Sequence, residues 1–260
     1  MNRNFQSDEL KTTSGGNARH SSSDELRYRF ASGKLPNGLI LDDGCGFGHG
    51  TTLLLREDRH VIGIDPDERA INEAMAMGRV ANLEFQLKIS DSLSFGENHF
   101  DAAVSLEVIE HLKDQRKYIN ELARVLKSNG ILILSTPNRL AIEPYYISGL
   151  SPINIRHISE LSPSDLRYLV EKDFEIAETF VLHATDIKQR QESLQYQSDF
   201  PIPYRLRSKI PLNIRNFWSK HMGKSTADEW TVETMPWDNV ETSDSLRCED
   251  IVLKLKKKVI

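Results

Sequence analysis

Three acids and two histidines stand out by type and spacing. Asp42 and Asp43 close an apolar run (Leu39, Ile40, Leu41), and glycines follow at alternate positions, Gly44, Gly46, Gly48 and Gly50. A chain that leaves a strand through glycines lets a ligand approach its main chain closely, and the helix start beyond it offers unpaired N–H groups. That is the chemistry of a nucleotide-like ligand site. Asp65 ends the next apolar run, where a carboxylate can accept both hydroxyl protons of a ribose. It can also cap the helix that Pro66 announces. His111 lies just past a third apolar run, in Glu107-Val108-Ile109-Glu110-His111, and His157 follows a proline-broken stretch. Imidazole titrates near neutral pH and can take a proton from a hydroxyl. A structural hydrogen-bonding role is the alternative for both histidines.

The elements that must position these residues follow from apolar periodicity. Ser23-Asp24 is read as the cap of a short helix over 25–32, stopped by Gly33, and Leu35-Pro36-Asn37-Gly38 as a turn. Strands are predicted at 39–41, 60–64, 83–87, 100–106 and 131–135. Helices are predicted from Thr51 to about Glu57, over 68–77, over 114–126 and from Ser162 through Val170. Asn129-Gly130 is read as the end of the third of these helices. A further strand is expected at 174–182 and a last one at 248–257. Regular alternation of strands and helices means a parallel sheet covered on both faces.

Length and composition bound the rest. With 260 residues the chain can bury one sizeable core, and 39% hydrophobic with 27% charged residues is ordinary for a globular protein. A net charge of −5 gives no overall reason to expect a nucleic-acid binder. No apolar run approaches the ~20 residues that span a bilayer. The polar N-terminus lacks the apolar core of a signal peptide, and the two cysteines, Cys45 and Cys248, lie far apart. A cytoplasmic location without disulfides is therefore expected. Within 186–224 there are eight Lys/Arg against three Asp/Glu, and within 225–250 one against eight. These are two solvated or mutually matched faces, or else a basic surface for an anionic substrate.

The glycine run does not fit the dinucleotide pattern G-x-G-x-x-G. Counting from Gly44 puts His49 at the third glycine, and counting from Gly46 puts Thr51 there. No phosphate-binding G-x-x-x-x-G-K-[ST] occurs either. The run reads acid-x-G-x-G-x-G, and here the sequence resembles the class I S-adenosylmethionine-dependent methyltransferases. The resemblance extends in order from about Leu26 to Leu182. It runs through GIDPD at 63–67, Asp91, FDAAVSLEVIEHL at 100–112, RVLKSNGILILSTPNR at 124–139 and HISELSPSDLRYLVEKDFEI at 157–176. It is greatest to the bacterial subgroup acting on small molecules, sugars or quinone-like lipids.

The resemblance implies a doubly wound, mostly parallel α/β sheet of seven strands with helices on both faces, the last strand inserted antiparallel. It implies S-adenosylmethionine as cofactor, with Asp42 facing the methionine amino group, Asp65 the ribose and Asp91, beside Ser92, the adenine amino group. Gly44, Cys45, Gly46, Gly48 and Glu107 complete the expected cofactor contacts. Asp42 or Asp43 as turn or cap residues, and Asp91 as a plain loop acid, are the alternatives. Leu26–Ala31 resembles a lid helix in which Tyr28 or Arg27 closes over the cofactor, or else packs as an amphipathic surface. The expected organisation is a tail at 1–23, a core at 24–183, an insertion over the site rim at 184–247, and the last strand with its tail at 248–260.

The expected reaction is methyl transfer to oxygen, less readily to nitrogen or carbon, of a small-molecule, sugar or lipid-like acceptor, with His111 and His157 as catalytic candidates. Tyr145, Tyr146, Trp218, Trp230 and Trp237 are available to stack on it or to pack. No residue is assigned to a metal, and nucleic acid is not the expected partner. Glu107, Glu110, His111 and His157 nevertheless form an E-x-x-E-H … H set. That set looks like the metal site of the small-RNA 3′-terminal 2′-O-methyltransferases, which would hold Mg²⁺ or Mn²⁺. Ile158-Ser159-Glu160 departs from that family's pattern, which has a histidine-rich acidic run there. A cofactor-binding module without catalysis is the non-enzymatic alternative. No C-x-x-C spacing suggests zinc, and no nucleophile elbow supports a Ser-His-Asp mechanism.

Overall fold

The computed structural model describes residues 22–78, 80–90, 92–142, 156–184, 230–240 and 250–259. Helix α1 (Ser22–Lys34) precedes β1 (Gly38–Asp43). There follow α2 (His49–Thr52), β2 (Arg59–Asp65), α3 (Glu68–Ala76), β3 (Leu83–Leu87) and β4 (Phe100–Leu106). A single 3₁₀ turn (Ile109–His111) leads to α4 (Gln115–Val125) and β5 (Leu126–Pro137). Then come α5 (Arg139–Ile142), α6 (Pro163–Val170), β6 (Phe174–Ala184), β7 (Trp230–Thr234), α7 (Trp237–Val240) and β8 (Asp250–Lys257).

One sheet runs in the order β3-β2-β1-β4-β5-β8-β6-β7. The first five strands are parallel, and β8 slots antiparallel between β5 and β6. Among the described residues the strands number eight, not seven. The extra one is β7, which pairs antiparallel with β6 at the sheet edge.

Period-2 alternation sorts the buried residues into two layers. Leu41, Ile62, Ala103, Leu132 and Leu134 face Tyr118, Ile119 and Leu122 of α4 and Leu166 and Val170 of α6. Ile40, Val61, Ala102, Val104 and Ile133 face Phe30 and Ala31 of α1, with Leu54. The same alternation sends Asp42 to the α1 side of the sheet and Asp43 to the α4 side.

Several helix boundaries differ from expectation. Helix α1 spans Ser22–Lys34, so Ser23-Asp24 lies inside its first turn instead of capping it and Gly33 does not stop it, and α3 ends at Ala76 rather than Met77. Helix α2 stops at Thr52 rather than near Glu57. Two β-branched threonines propagate a helix poorly, and the buried Arg59 guanidinium takes the carbonyl of Leu54 at 3.2 Å together with those of Ser32 and Leu35. Helix α4 ends at Val125 rather than Leu126, and Asn129-Gly130 belongs to β5. Leu126 already pairs with Phe100. The extra residues before Ile131 are absorbed as an irregularity, with Asn129 at a positive φ of 63°.

Candidate functional site

Parallel strands bring their carboxyl ends to one edge, and ligands in doubly wound sheets bind there. Asp42 and Asp43 end β1, Asp65 ends β2, and Glu107 follows β4. Asp43 pairs in register with Ile64 on one side and Ser105 on the other, so all four acids stand at that edge.

Asp42 is fully buried. It accepts a hydrogen bond from the Thr51 hydroxyl at 2.7 Å, and the Tyr28 hydroxyl lies 3.3 Å from each of its oxygens. Burial, reinforced by the nearby Asp43 and Asp65, raises its pKa from 3.8 to about 7. An acid poised this way gains most from a cation placed beside it. Asp43 is buried on the other face, where the Ser90 hydroxyl donates to it at 2.6 Å; burial raises its pKa to about 6.

The glycine loop is tied down from β2. Gly44 and Cys45 donate their N–H groups to the Ile64 carbonyl, and Gly46 donates to Asp65 Oδ2, all at 2.9 Å. Gly46 has φ 52° and open space where a side chain would start, so the main chain is bare toward the site. At Gly50 the constraint is different: a Cβ would lie 2.2 Å from the Tyr28 ring, so glycine here seats the residue that reaches Asp42. The Cys45 thiol is buried, and desolvation with three neighbouring aspartates pushes its pKa up, so it is no nucleophile.

Asp65 does not cap α3. That cap is Asp67, whose carboxylate accepts from the Arg69 and Ala70 N–H groups. Asp65 instead accepts from the Asp67 N–H through Oδ1 and from Gly46 through Oδ2, and it is only half-buried. Two carboxylate oxygens retain lone pairs for further donors. Ser92 is exposed, while Asp91 lies outside the described residues.

Glu107 sits at φ 57°, in the left-handed region. Its Oε1 accepts from the Ser135 hydroxyl at 2.7 Å and its Oε2 lies 3.7 Å from the Arg27 guanidinium. Burial raises its pKa, and Arg27 opposes that shift. Arg27 in turn is clamped by Asp24 and Asp250, which joins α1 to the start of β8. Of the two expected lid residues, Tyr28 therefore reaches Asp42 and Arg27 reaches Glu107.

The histidines converge. The rings of His111 and His157 lie 5.0 Å apart, centre to centre, at 77°. Glu110, in the 3₁₀ turn, is fully buried, and its backbone carbonyl accepts from the Ile158 and Ser159 N–H groups. Those two bonds carry the 157–160 segment to the end of β4. Sequence reading missed two partners here. Glu160, buried, meets His157 Nδ1 at 2.6 Å, and Thr136 donates to Glu110 Oε2 at 3.1 Å. The H-x-x-E spacing was the available signal for the first. Among the aromatic candidates, Trp237 lies beneath the Arg167 guanidinium, 5.8 Å from ring centre. Tyr145, Tyr146 and Trp218 fall outside the described residues, and Trp230 begins β7.

Residues 41–134, from β1 to the end of the apolar run in β5, match the family described as "Methyltransferase domain". Over these residues the chain carries a methyltransferase domain similar to that of the S-adenosylmethionine-dependent methyltransferases. It is 37% identical over 131 residues to a probable S-adenosylmethionine-dependent methyltransferase of Mycobacterium tuberculosis, covering 50% of this chain and 46% of that one. It is 33% identical over 149 residues to a ubiquinone biosynthesis O-methyltransferase of Rickettsia canadensis, covering 54% and 63%. The chain thus spans about half the length of the mycobacterial relative. Among solved structures, the YcgJ protein of Bacillus subtilis superposes with a TM-score of 0.59 at 17% identity, over 92% of this chain and all of that one, which shows the fold. The family's cofactor is S-adenosylmethionine, and the loop described above has the bare main chain and the acids suited to a ligand with a cationic amino group and a ribose. Among the described residues, no helix is long and apolar enough to cross a membrane.

Proposed function

We propose that this methyltransferase moves the methyl group of S-adenosylmethionine to an oxygen of a small-molecule, sugar or lipid-like acceptor, less readily to nitrogen or carbon. The observation that carries this reading is the meeting of His111 and His157 at the end of β4, the strand next to the acid–glycine turn of β1. Asp42 is read as the partner of the methionine ammonium and Asp65 as the ribose acceptor. Gly44, Cys45, Gly46 and Gly48 form the surface along the ligand, Glu107 completes it, and Asp91 with Ser92 is assigned to the adenine end. The similarity to ubiquinone biosynthesis O-methyltransferases favours oxygen over nitrogen.

The sulfonium carbon is already electrophilic. The protein's task is to align acceptor oxygen, methyl and sulfur and to exclude water. The oxygen forms a bond to the methyl carbon, the C–S bond breaks with its electron pair going to sulfur, and the hydroxyl proton departs. On this reading the His111–His157 pair receives that hydroxyl and assists loss of its proton. The core is assigned to 24–183 with the last strand from 248, joined by β7 (Trp230–Thr234) at the sheet edge, and acceptor choice to the rest of 184–247, whose sequence shares none of the family motifs.

Transfer is tested with methyl-labelled S-adenosylmethionine and fractionated extract of the host cell. Label is expected in a small-molecule or lipid fraction, as an alkali-stable methyl ether. Label confined to RNA, or to no fraction, contradicts the proposal. Asp65→Ala is expected to weaken cofactor binding about 100-fold, measured by calorimetry. It also removes the loop's anchor on Gly46, which lowers stability by about 1.5–3 kcal/mol, the range for hydrogen bonds to a charged group. An affinity within threefold of the parent protein rules out the ribose role.

A further inference from the structure

We propose that β3 is the edge through which two copies of this chain pair into a symmetric antiparallel dimer. β3 ends the sheet, and among the described residues only β2 pairs with it. The Lys88 N–H donates to the Asp65 carbonyl and the Asn82 carbonyl accepts from Val61, so the even-numbered residues turn their peptide groups toward β2. Strand alternation then turns those of Phe85 and Leu87 outward. An edge with open peptide groups is a template for a further strand.

The edge is also apolar. Five of the eight exposed large hydrophobic residues among those described sit here. Met75 lies in the last turn of α3, Met77 just after it and Val80 in the turn that follows. Leu87 and Ile89, at the other end of the strand, are each more than half exposed.

The strand matches itself when reversed. With the twofold axis at Gln86, Phe85 of one copy faces Leu87 of the other, and their outward N–H and C=O groups form reciprocal hydrogen bonds on both sides of the axis. Leu83 faces Ile89, so one face of the new ladder is apolar throughout. On the opposite face Glu84 of each copy meets Lys88 of the other, at the closer, non-hydrogen-bonded spacing, and Gln86 meets its own copy. Moving the axis to Phe85 or Leu87 keeps the hydrogen-bond pattern but removes both Glu84–Lys88 pairs. Charge therefore selects the register. Both side chains now make only local polar contacts, Glu84 with His60 and Gln86 and Lys88 with Ser94, near the strand itself.

The occupant is a second copy because the apolar and the charged halves of the match lie on one short stretch. A stable interface buries about 1,200–2,000 Å² in total, more than two short strands supply. Met75, Met77 and Val80 add apolar surface at the end of β3 that meets Ile89 of the other copy. A twofold contact is closed, so association stops at the dimer.

The test is sedimentation of the purified full-length protein at micromolar concentration, with thermal melting of the same samples to show that each variant folds. A dimer is expected. Leu87→Pro removes an outward N–H that no described residue accepts, and should give a monomer that melts cooperatively. Lys88→Glu should weaken the dimer about tenfold, and adding Glu84→Lys should restore it to within about threefold, since the exchange rebuilds both pairs. In a Cys248→Ser background, Gln86→Cys should form a disulfide with its own copy on mild oxidation, because it lies on the axis. A monomeric parent protein overturns the proposal. So does a dimer that forms no disulfide in Gln86→Cys, or one whose strength Lys88→Glu leaves unchanged.

Discussion

Asp42→Asn is expected to stabilise the ligand-free protein by roughly 2 kcal/mol at pH 8 while weakening S-adenosylmethionine binding at least 100-fold. The two effects have one cause. Burial raises the folded-state pKa of Asp42 from 3.8 to about 7, so the carboxylate disfavours the folded state wherever it is ionised. A raised folded pKa contributes stability that is complete below the unfolded value and disappears as pH rises through the folded one. The difference between parent and variant should therefore be small near pH 4, grow between pH 4 and 7, and level off above. A tenfold change in an ionisation constant corresponds to about 1.4 kcal/mol, and the amide, with one acceptor oxygen, loses one of the hydrogen bonds from Thr51 and Tyr28, which offsets about half of the gain. Denaturant titration at pH 5 and pH 8 checks it.

Affinity should follow the opposite slope. A bound ammonium prefers the ionised carboxylate, so binding by the parent protein should weaken up to tenfold per pH unit below about 7. In Asp42→Asn this pH dependence should vanish. A parent affinity that stays flat between pH 5.5 and 8 contradicts the assignment of the ammonium to Asp42.

Arg27→Met carries the largest stability effect. The Arg27 guanidinium is buried among Asp250, Glu107 and Asp24; burial alone lowers its pKa, and the three carboxylates outweigh that and push it up. Removing it leaves Asp250 and Glu107 as uncompensated acids, at a cost of about 3–5 kcal/mol. For a chain of this size that is a fall in melting temperature of roughly 6–20 °C. Adding Asp250→Leu should recover most of the loss, because a buried ion pair replaced as a unit is often neutral. A double variant no more stable than Arg27→Met shows that the α1–β8 link contributes through shape alone. Glu107, the expected cofactor contact, loses its cationic neighbour in both variants, so both should also bind S-adenosylmethionine more weakly.

Much of this architecture is readable in the sequence because it is local. Strands β1 to β4 and helix α3 fall where apolar periodicity places them. Ser162-Pro163-Ser164-Asp165 announces α6 through a capping box that the structure forms in full. Asp42 and Asp43 separate onto opposite faces by strand alternation, which follows from adjacency alone. What escapes is non-local. The shortness of α2 depends on Arg59 reaching back to Leu54, Leu35 and Ser32. The ion cluster joins Arg27 to Asp250 from opposite ends of the chain, and β7 has no place in the expected seven strands until β6 offers an edge. The pairing of His111 with His157 also depends on distance in sequence, through the Glu110 carbonyl that draws Ile158 and Ser159 to the end of β4. Asp65 was legible as a strand-end acid but not as the anchor of the glycine loop, since nothing in the spacing tells which acid takes the cap and which takes Gly46.

The most direct test of the central claim is isothermal calorimetry of the purified protein with S-adenosylmethionine and, separately, with NAD. One saturable site for S-adenosylmethionine and no heat with NAD is the predicted result. No heat with S-adenosylmethionine, or tighter binding of NAD, contradicts the assignment of the acid–glycine turn at Asp42–Gly50 to the methyl donor.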